Sequence, residues 1–139
     1  MTRTAVFRRQ HLELLEVAAE ISDRLDAVEL TKDASMMAGL LSVLSGKLTI
    51  HLAMEDKGLY PRLQRHSNER VRALATKYMT DMGSICQVFG AYIERWRDRL
   101  NIQNDAAAFV TETRGILGAL SNRIAREDNE LYPMVDREG

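Results

Sequence analysis

The sequence predicts an all-α protein, an up-down-up-down bundle of four helices. Apolar residues recur at three- and four-residue steps along nearly the whole chain, which is the mark of helices with one buried face. Polar or proline-containing breaks cut that pattern into four long stretches joined by short connections. No run of alternating β-branched residues competes with it. A chain of 139 residues is the usual size of one domain, 1–139, and can bury a real core without staples.

The first stripe runs Phe7, Leu14, Leu15, Ala18, Ile21 and Leu25, and a break is expected over 27–33. The second runs Met37, Leu40, Leu41, Leu44 and Leu48, then His51 and Glu55, to Leu59. Pro61 stands where it would end or kink that helix. A turn at 66–69 follows, with Ser67 as the expected N-cap and Glu69 well placed beside the positive end of the next helix. The third stripe is Val71, Leu74, Tyr78, Met82, Ile85, Phe89, Tyr92 and Trp96. Residues 101–105 are polar and read as a connection, with Asn104 or Asp105 as the cap of the last helix. The fourth stripe is Phe109, Ile116, Leu120, Arg123, Glu127 and Leu131, and Pro133 is expected to end it.

Composition excludes several classes. The chain carries 19 basic and 20 acidic side chains, a formal charge of −1, which argues against DNA or an anionic membrane as a bulk electrostatic partner. Arginines cluster around 62–72 and 95–99, at helix ends, where cations and solvated faces are common, so no nucleic-acid partner is expected. The single cysteine, Cys86, excludes an internal disulfide and a cysteine-based zinc or iron–sulfur site. It reads as a small buried hydrophobe rather than a nucleophile. Only three histidines are present, so any metal site must also use carboxylates.

Residues 1–11 carry charge without a following apolar core, unlike a secretory signal. The longest weakly polar run, 36–46, is far short of the roughly 20 residues a membrane span needs. A soluble, cytoplasmic protein is expected. No Gly-rich phosphate loop or serine-hydrolase signature is present, and nothing in the chain argues for catalysis. Gly83 and Gly90 suit close helix packing. Met36, Met37 and Trp96 suit core packing or a dimer contact, which leaves monomer and homodimer both open.

Two segments repeat in register 72 residues apart: His51-Leu-Ala-Met-Glu55-Asp-Lys-Gly-Leu-Tyr60-Pro61 and Arg123-Ile-Ala-Arg-Glu127-Asp-Asn-Glu-Leu-Tyr132-Pro133. A repeated helix pair is a natural route to a four-helix bundle. The chemistry lies in what the repeat points inward. A four-residue step puts His51 and Glu55 on one helix face, Glu127 continues the inner stripe of the last helix, and His11 lies between Phe7 and Leu15 on the first. A carboxylate at a core position costs several kcal/mol unless it is paired or bound to a cation. Inward carboxylates and imidazoles suit a metal site between facing helices, or else a partly solvated bundle end. Tyr60 and Tyr132, five residues beyond each glutamate, should turn away from that face and close the bundle end.

With these motifs, Arg9-Gln10-His11, His51-x-x-x-Glu55 running into Leu59-Tyr60-Pro61, and Glu127 running into Leu131-Tyr132-Pro133, the chain resembles the hemerythrin-like (HHE cation-binding) family over nearly its whole length. The resemblance implies a four-helix bundle around a non-haem di-iron site ligated by histidines from all four helices and a carboxylate on helices two and four. It also implies reversible oxygen binding, oxygen or iron sensing, or handling of nitric oxide or peroxide. The matching ligand positions are His11, His51, Glu55 and Glu127. Two positions depart from the pattern: Arg123 stands where the second HxxxE motif would begin, and Met82 where the third helix would supply a histidine. An arginine has no lone pair for a metal, and a thioether suits ferric iron poorly.

Two readings stay open. In one, His11, His51, Glu55 and Glu127 hold iron or zinc, mono- or dinuclear, with positions left for a small ligand such as O2 or NO. In the other, the protein is a metal-free scaffold or regulatory module in which Arg123 pairs with Glu127 or Glu55 in place of the metal.

Overall fold

The computed structural model describes residues 4–138. Four long helices, α1 (Ala5–Asp23), α3 (Ser35–Gly58), α5 (Glu69–Trp96) and α7 (Ala106–Arg126), carry most of the chain. Each packs on two others: α1 on α3 and α7, and α5 on α3 and α7. The four therefore close a ring in chain order, as a four-helix bundle requires. No strand occurs among the described residues, and the all-α bundle is as expected.

The connections are more helical than the sequence suggests. Residues 27–33 hold a short helix, α2 (Ala27–Lys32), started by the Asp26 side chain, which accepts from the backbone N–H of Val28 and Glu29. Residues 101–105 lie largely within another, α6 (Arg99–Asn104), whose first turn Asp98 caps through Leu100 N–H. Both bury one apolar residue, Leu30 and Ile102, and α2 packs on α6 and α7 to close that end. Asn68, not Ser67, caps α5 through Arg70 N–H, and Asp105 precedes α7 without a side-chain cap bond.

The two prolines act differently from each other. Leu59 separates α3 from α4 (Tyr60–Gln64), with Pro61 in the first turn of the new helix, where its missing N–H costs nothing. Pro133 does not end the last helix. A single π-helical turn (Glu127–Leu131) joins α7 to α8 (Tyr132–Glu138), and Tyr132 N–H bonds to Glu127 O, five residues back. The wider turn takes up the break in the hydrogen-bond ladder that proline imposes and lets the helix continue.

The core falls into two clusters. One contains Leu14, Leu41, Leu44, Leu48, Trp96, Phe109, Ile116, Leu120 and Ile124 among others. The other holds Phe7, Leu59, Tyr60, Leu63, Val71, Tyr78, Leu131, Tyr132 and Val135. Between them, on every long helix, lies a buried position of another kind: His11 on α1, His51 and Glu55 on α3, Met82 on α5, and Arg123 on α7 with Glu127 just beyond it. This polar layer is the chemical centre of the molecule.

The stretch Ser35–Gln64 contains an 18-residue window of mean hydropathy 1.4 and is by length and composition long and apolar enough to cross a membrane, which the 36–46 run alone did not suggest. In the bundle its apolar residues Met37, Leu41, Leu44 and Leu48 face the core, and it carries buried His51 and Glu55.

Candidate metal centre

Both imidazoles are locked from behind. His11 Nδ1 lies 2.8 Å from Asp128 Oδ1, and an ionised carboxylate only accepts, so that nitrogen carries the proton. His51 Nδ1 lies 2.7 Å from Gln10 Oε1. The Gln10 amide is oriented in turn by its nitrogen, which donates to Met54 Sδ at 3.0 Å, so His51 also donates from Nδ1. The Nε2 atoms of both rings therefore face the interior. They lie 3.1 Å apart, and Glu127 Oε1 is 3.1 Å from His11 Nε2 and 3.9 Å from His51 Nε2.

Two neutral imidazoles cannot bond lone pair to lone pair. A proton or a cation must lie among these atoms. One donor atom each from His11, His51 and Glu127 falls within 4.8 Å of the others. Glu55 flanks the group: its Oε1 is 3.2 Å from His51 Nε2 but has no aligned hydrogen-bond partner. Donors about 2.0–2.2 Å from one ion stand about 3.0–3.5 Å apart, so the short separations here suit ligands of a single metal. The Asp128–His11 pair is the outer contact that orients such ligands and raises their basicity.

Burial pushes the His51 imidazole down, but the Glu127 and Glu55 carboxyl groups close to its Nε2 outweigh it and hold the pKa at about 9. Burial also opposes ionisation of both glutamates, with different outcomes. Glu127 stays well below the usual carboxylate range, because His11 hydrogen-bonds to it, the His51 ring and the Glu55 carboxyl group stand close, and the Arg123 charge is near. Glu55 is pushed up, burial and the Glu127 charge together outweighing His51.

Arg123 and the two tyrosines complete the layer. Arg123 is only 4% exposed; one Nη2 donates to Tyr60 Oη at 3.0 Å and to Tyr78 O at 3.1 Å. The same nitrogen is 3.7 Å from Glu127 Oε2, and the guanidinium lies over the Tyr78 ring, 4.5 Å from its centroid. Tyr60 donates to Glu127 Oε2 at 3.2 Å, and Tyr132 donates to Glu55 Oε2 at 2.6 Å. Each repeat's tyrosine thus serves the other repeat's glutamate. The expectation that these tyrosines turn away from the site is corrected. In α7 the π turn advances five residues for one turn, which brings Tyr132 back onto the inner face. In α3 the break at Leu59 frees Tyr60 to do the same.

The structure thus brings His11, His51, Glu55 and Glu127 into one buried layer and adds Arg123 and Met82 to its wall. The residues fit one metal. Met82 and Arg123 bring no donor for a second, since a guanidinium has no lone pair and a thioether suits ferric iron poorly. Cys86 is exposed rather than buried, and burial of its sulfur is partial, enough to push the thiol pKa up. Sequence reasoning missed Tyr60, Tyr132, Tyr78, Asp128 and Gln10. For Tyr60, Tyr132 and Asp128 the signal was the repeat itself, which keeps Tyr and Asp in register.

No curated protein and no solved structure matches the chain significantly. A family model does: the hemerythrin HHE cation-binding domain matches residues 2–135. A helical bundle whose buried middle layer gathers His11, His51 and Glu127 is what that family's cation binding calls for. The chain belongs to the hemerythrin HHE cation-binding family.

Proposed function

We propose that this protein holds one transition-metal ion, iron or zinc, on His11, His51 and Glu127 with Glu55 as the fourth donor, and uses it to bind or sense a small ligand such as O2 or NO. Convergence of the two Nε2 atoms and Glu127 Oε1, with both Nδ1 atoms committed elsewhere, carries this reading. A donor set of two imidazoles and two carboxylates is adequate for zinc or ferrous iron. The ion would supply a Lewis-acidic, ligand-accepting centre. The chain's own residues do the rest: Asp128 and Gln10 hold the imidazoles in the metal-ready tautomer, Tyr132 and Tyr60 orient the carboxylates, and apolar neighbours Leu14, Leu48 and Leu120 keep bulk water out. We read the protein as a cytoplasmic binding or sensing module, a monomer or homodimer, rather than an enzyme.

The contact between Arg123 and Glu127 favours one competing reading, a metal-free module stabilised by that pair. Elemental analysis of protein made in iron- or zinc-supplemented cells separates the two. About one metal ion per chain, lost in His51→Ala, is expected. Absence of metal after supplementation, with Arg123→Ala unfolding readily, overturns the metal reading in favour of the pair.

A further inference from the structure

The outer face of α3 is unlike that of an ordinary surface helix. From Ser35 to Met54 the only ionisable side chains are Lys47 and the inward His51, whereas an exposed helix face is normally rich in charge. Lys47 is drawn aside towards α1 by Glu13, 3.3 Å away. Met36, Val43, Ile50 and Met54 are exposed, Met36 and Ile50 to 60%. Only 28% of the apolar window within Ser35–Gln64 is buried, so packing in the bundle core does not account for its hydropathy. Gly39 and Gly46 are exposed on the same face, and a methyl group added to either would meet no atom within 4 Å. Glycine weakens a helix interior, and nothing in this chain's own packing requires it at these two positions.

These residues form a pattern with a centre. Met36, Val43 and Ile50 recur every seventh residue, and Gly39, Gly46 and Ala53 stand three residues after each. A seven-residue repeat keeps one seam of a helix against a partner helix along its length. Turned end over end about a point between Leu44 and Ser45, the pattern meets itself with large opposite small: Met36 faces Ala53, Val43 faces Gly46, and Ile50 faces Gly39. Charge allows the same arrangement. The uncharged stretch is bounded by Lys32 and Asp33 at one end and by Asp56 and Lys57 at the other, so an antiparallel copy sets one mixed pair beside the other rather than like against like. Residues 35–54 extend about 30 Å. Two helices touching over that length, with their rims, cover on the order of 600 Å² per copy, which reaches the lower end of stable interfaces.

We propose that the outer face of α3 is the interface of a two-fold homodimer, in which α3 of one copy packs antiparallel on α3 of the other and Met36, Val43 and Ile50 seat over Ala53, Gly46 and Gly39 of the second copy. Such a pair is closed, because each copy offers the same patch. A lipid surface suits the face less well, since it lacks the basic flanks that hold a helix on anionic lipid. The seam lies on the side of α3 away from buried His51 and Glu55, so it does not depend on the metal reading.

Sedimentation of the full chain over a concentration series, with disulfide cross-linking, tests it. The wild type should be dimeric at about 10 μM. Gly46→Leu has room in the single copy but collides with Val43 across the seam. It and Ile50→Glu should each weaken association roughly tenfold or more with helix content unchanged. Leu12→Glu, at a site 63% exposed on α1, should leave association alone. In a Cys86→Ser background, Gly39→Cys combined with Ile50→Cys should join two copies on oxidation. The two sites lie about 16 Å apart along one helix and cannot bond within a chain, and Gly39→Cys alone should not cross-link. If Gly46→Leu loses helix content, Ile50→Glu and the cross-link decide. A monomeric wild type at that concentration, a dimer indifferent to the α3 variants, or cross-linking by Gly39→Cys alone overturns the proposal. A monomer that floats with phosphatidylcholine–phosphatidylserine vesicles assigns the face to lipid and overturns it as well.

Discussion

The two repeated segments share Ala, Glu, Asp, Leu, Tyr and Pro in register, yet their glutamates stand in opposite electrostatic states. Glu127, with Arg123 one turn before it, His11 across from it and Tyr60 above it, is held as a carboxylate. Glu55, with His51 one turn before it and one oxygen left without an aligned partner, is pushed towards its neutral form. The asymmetry comes mainly from His11 and His51, which both favour the charged form of Glu127, and the Arg123 charge at the head of its motif adds a smaller share. One half keeps a titratable ring whose Nε2 lone pair can bind a metal once its proton is released. The other carries a permanent charge with no lone pair for a metal. The difference teaches that one repeated helical pattern can carry two unlike electrostatic states, because the positions that build the fold stay in register while the residue at the head of the motif changes.

The sharpest way to break the comparison is to delete each glutamate in metal-free protein. Glu127→Ala leaves the buried Arg123 charge without its neighbouring carboxylate and removes one partner each from His11 and Tyr60, and should cost about 3–5 kcal/mol of stability in urea unfolding. Glu55→Ala removes a carboxylate whose burial already opposes its charge, and Tyr132 keeps His11 Nε2 at 3.2 Å; about 1–2 kcal/mol is expected. Equal costs would show that the two halves are electrostatically alike after all.

Acidity should separate the halves next. His51 rises from 6.5 to about 9 on folding. Its contribution to metal-free stability is therefore fully present below about pH 6.5 and is lost as pH rises through 9, at most about 3 kcal/mol. Glu127 is depressed, so its contribution is present above its unfolded value near 4.5 and is lost on acidification. The raised Glu55 contributes below about pH 4.5 and loses that contribution as pH rises, so the metal-free protein should be most stable towards the acid end of the range from about pH 4.5 to 6.5. Denaturant midpoints measured from pH 4 to 10 check this, and His51→Asn should flatten the alkaline limb. An alkaline limb unchanged in that variant would place the titrating group elsewhere.

Much of this was legible in the sequence, and the remainder was hidden for identifiable reasons. Helical periodicity needs only the pattern of apolar residues, so the four long helices and the inward His11, His51, Glu55, Arg123 and Glu127 could be read directly. The short helices α2 and α6 were hidden because six residues show too little periodicity to register. The tyrosines were misplaced for a different reason. Assigning faces assumed 3.6 residues per turn throughout, and the π turn at Glu127–Leu131 and the break at Leu59 both violate that locally. Asp128 and Gln10 adjoin the ligand positions in sequence, but their role depends on ring orientation, which spacing does not encode. The unmatched Nε and Nη1 of Arg123 depend on three-dimensional packing alone.

The smallest effect separates the two tyrosines, and it is the most discriminating because the substitution removes a single oxygen. Tyr132 supplies the one aligned hydrogen bond that Glu55 receives, at 2.6 Å. Tyr60 bridges Glu127 and Arg123, but each keeps other partners: His11 Nε2 for Glu127, Tyr78 O for Arg123. Tyr132→Phe should therefore cost about 1.5–3 kcal/mol in the metal-free protein and Tyr60→Phe only about 1 kcal/mol. With metal bound, the order should hold for metal affinity as well, since Tyr132 orients the more weakly anchored carboxylate. A larger loss in Tyr60→Phe would mean that Arg123, not Glu55, is the group most dependent on a tyrosine. In that case the arginine half would be the fragile one, and the contrast drawn between the two segments would have to be reversed.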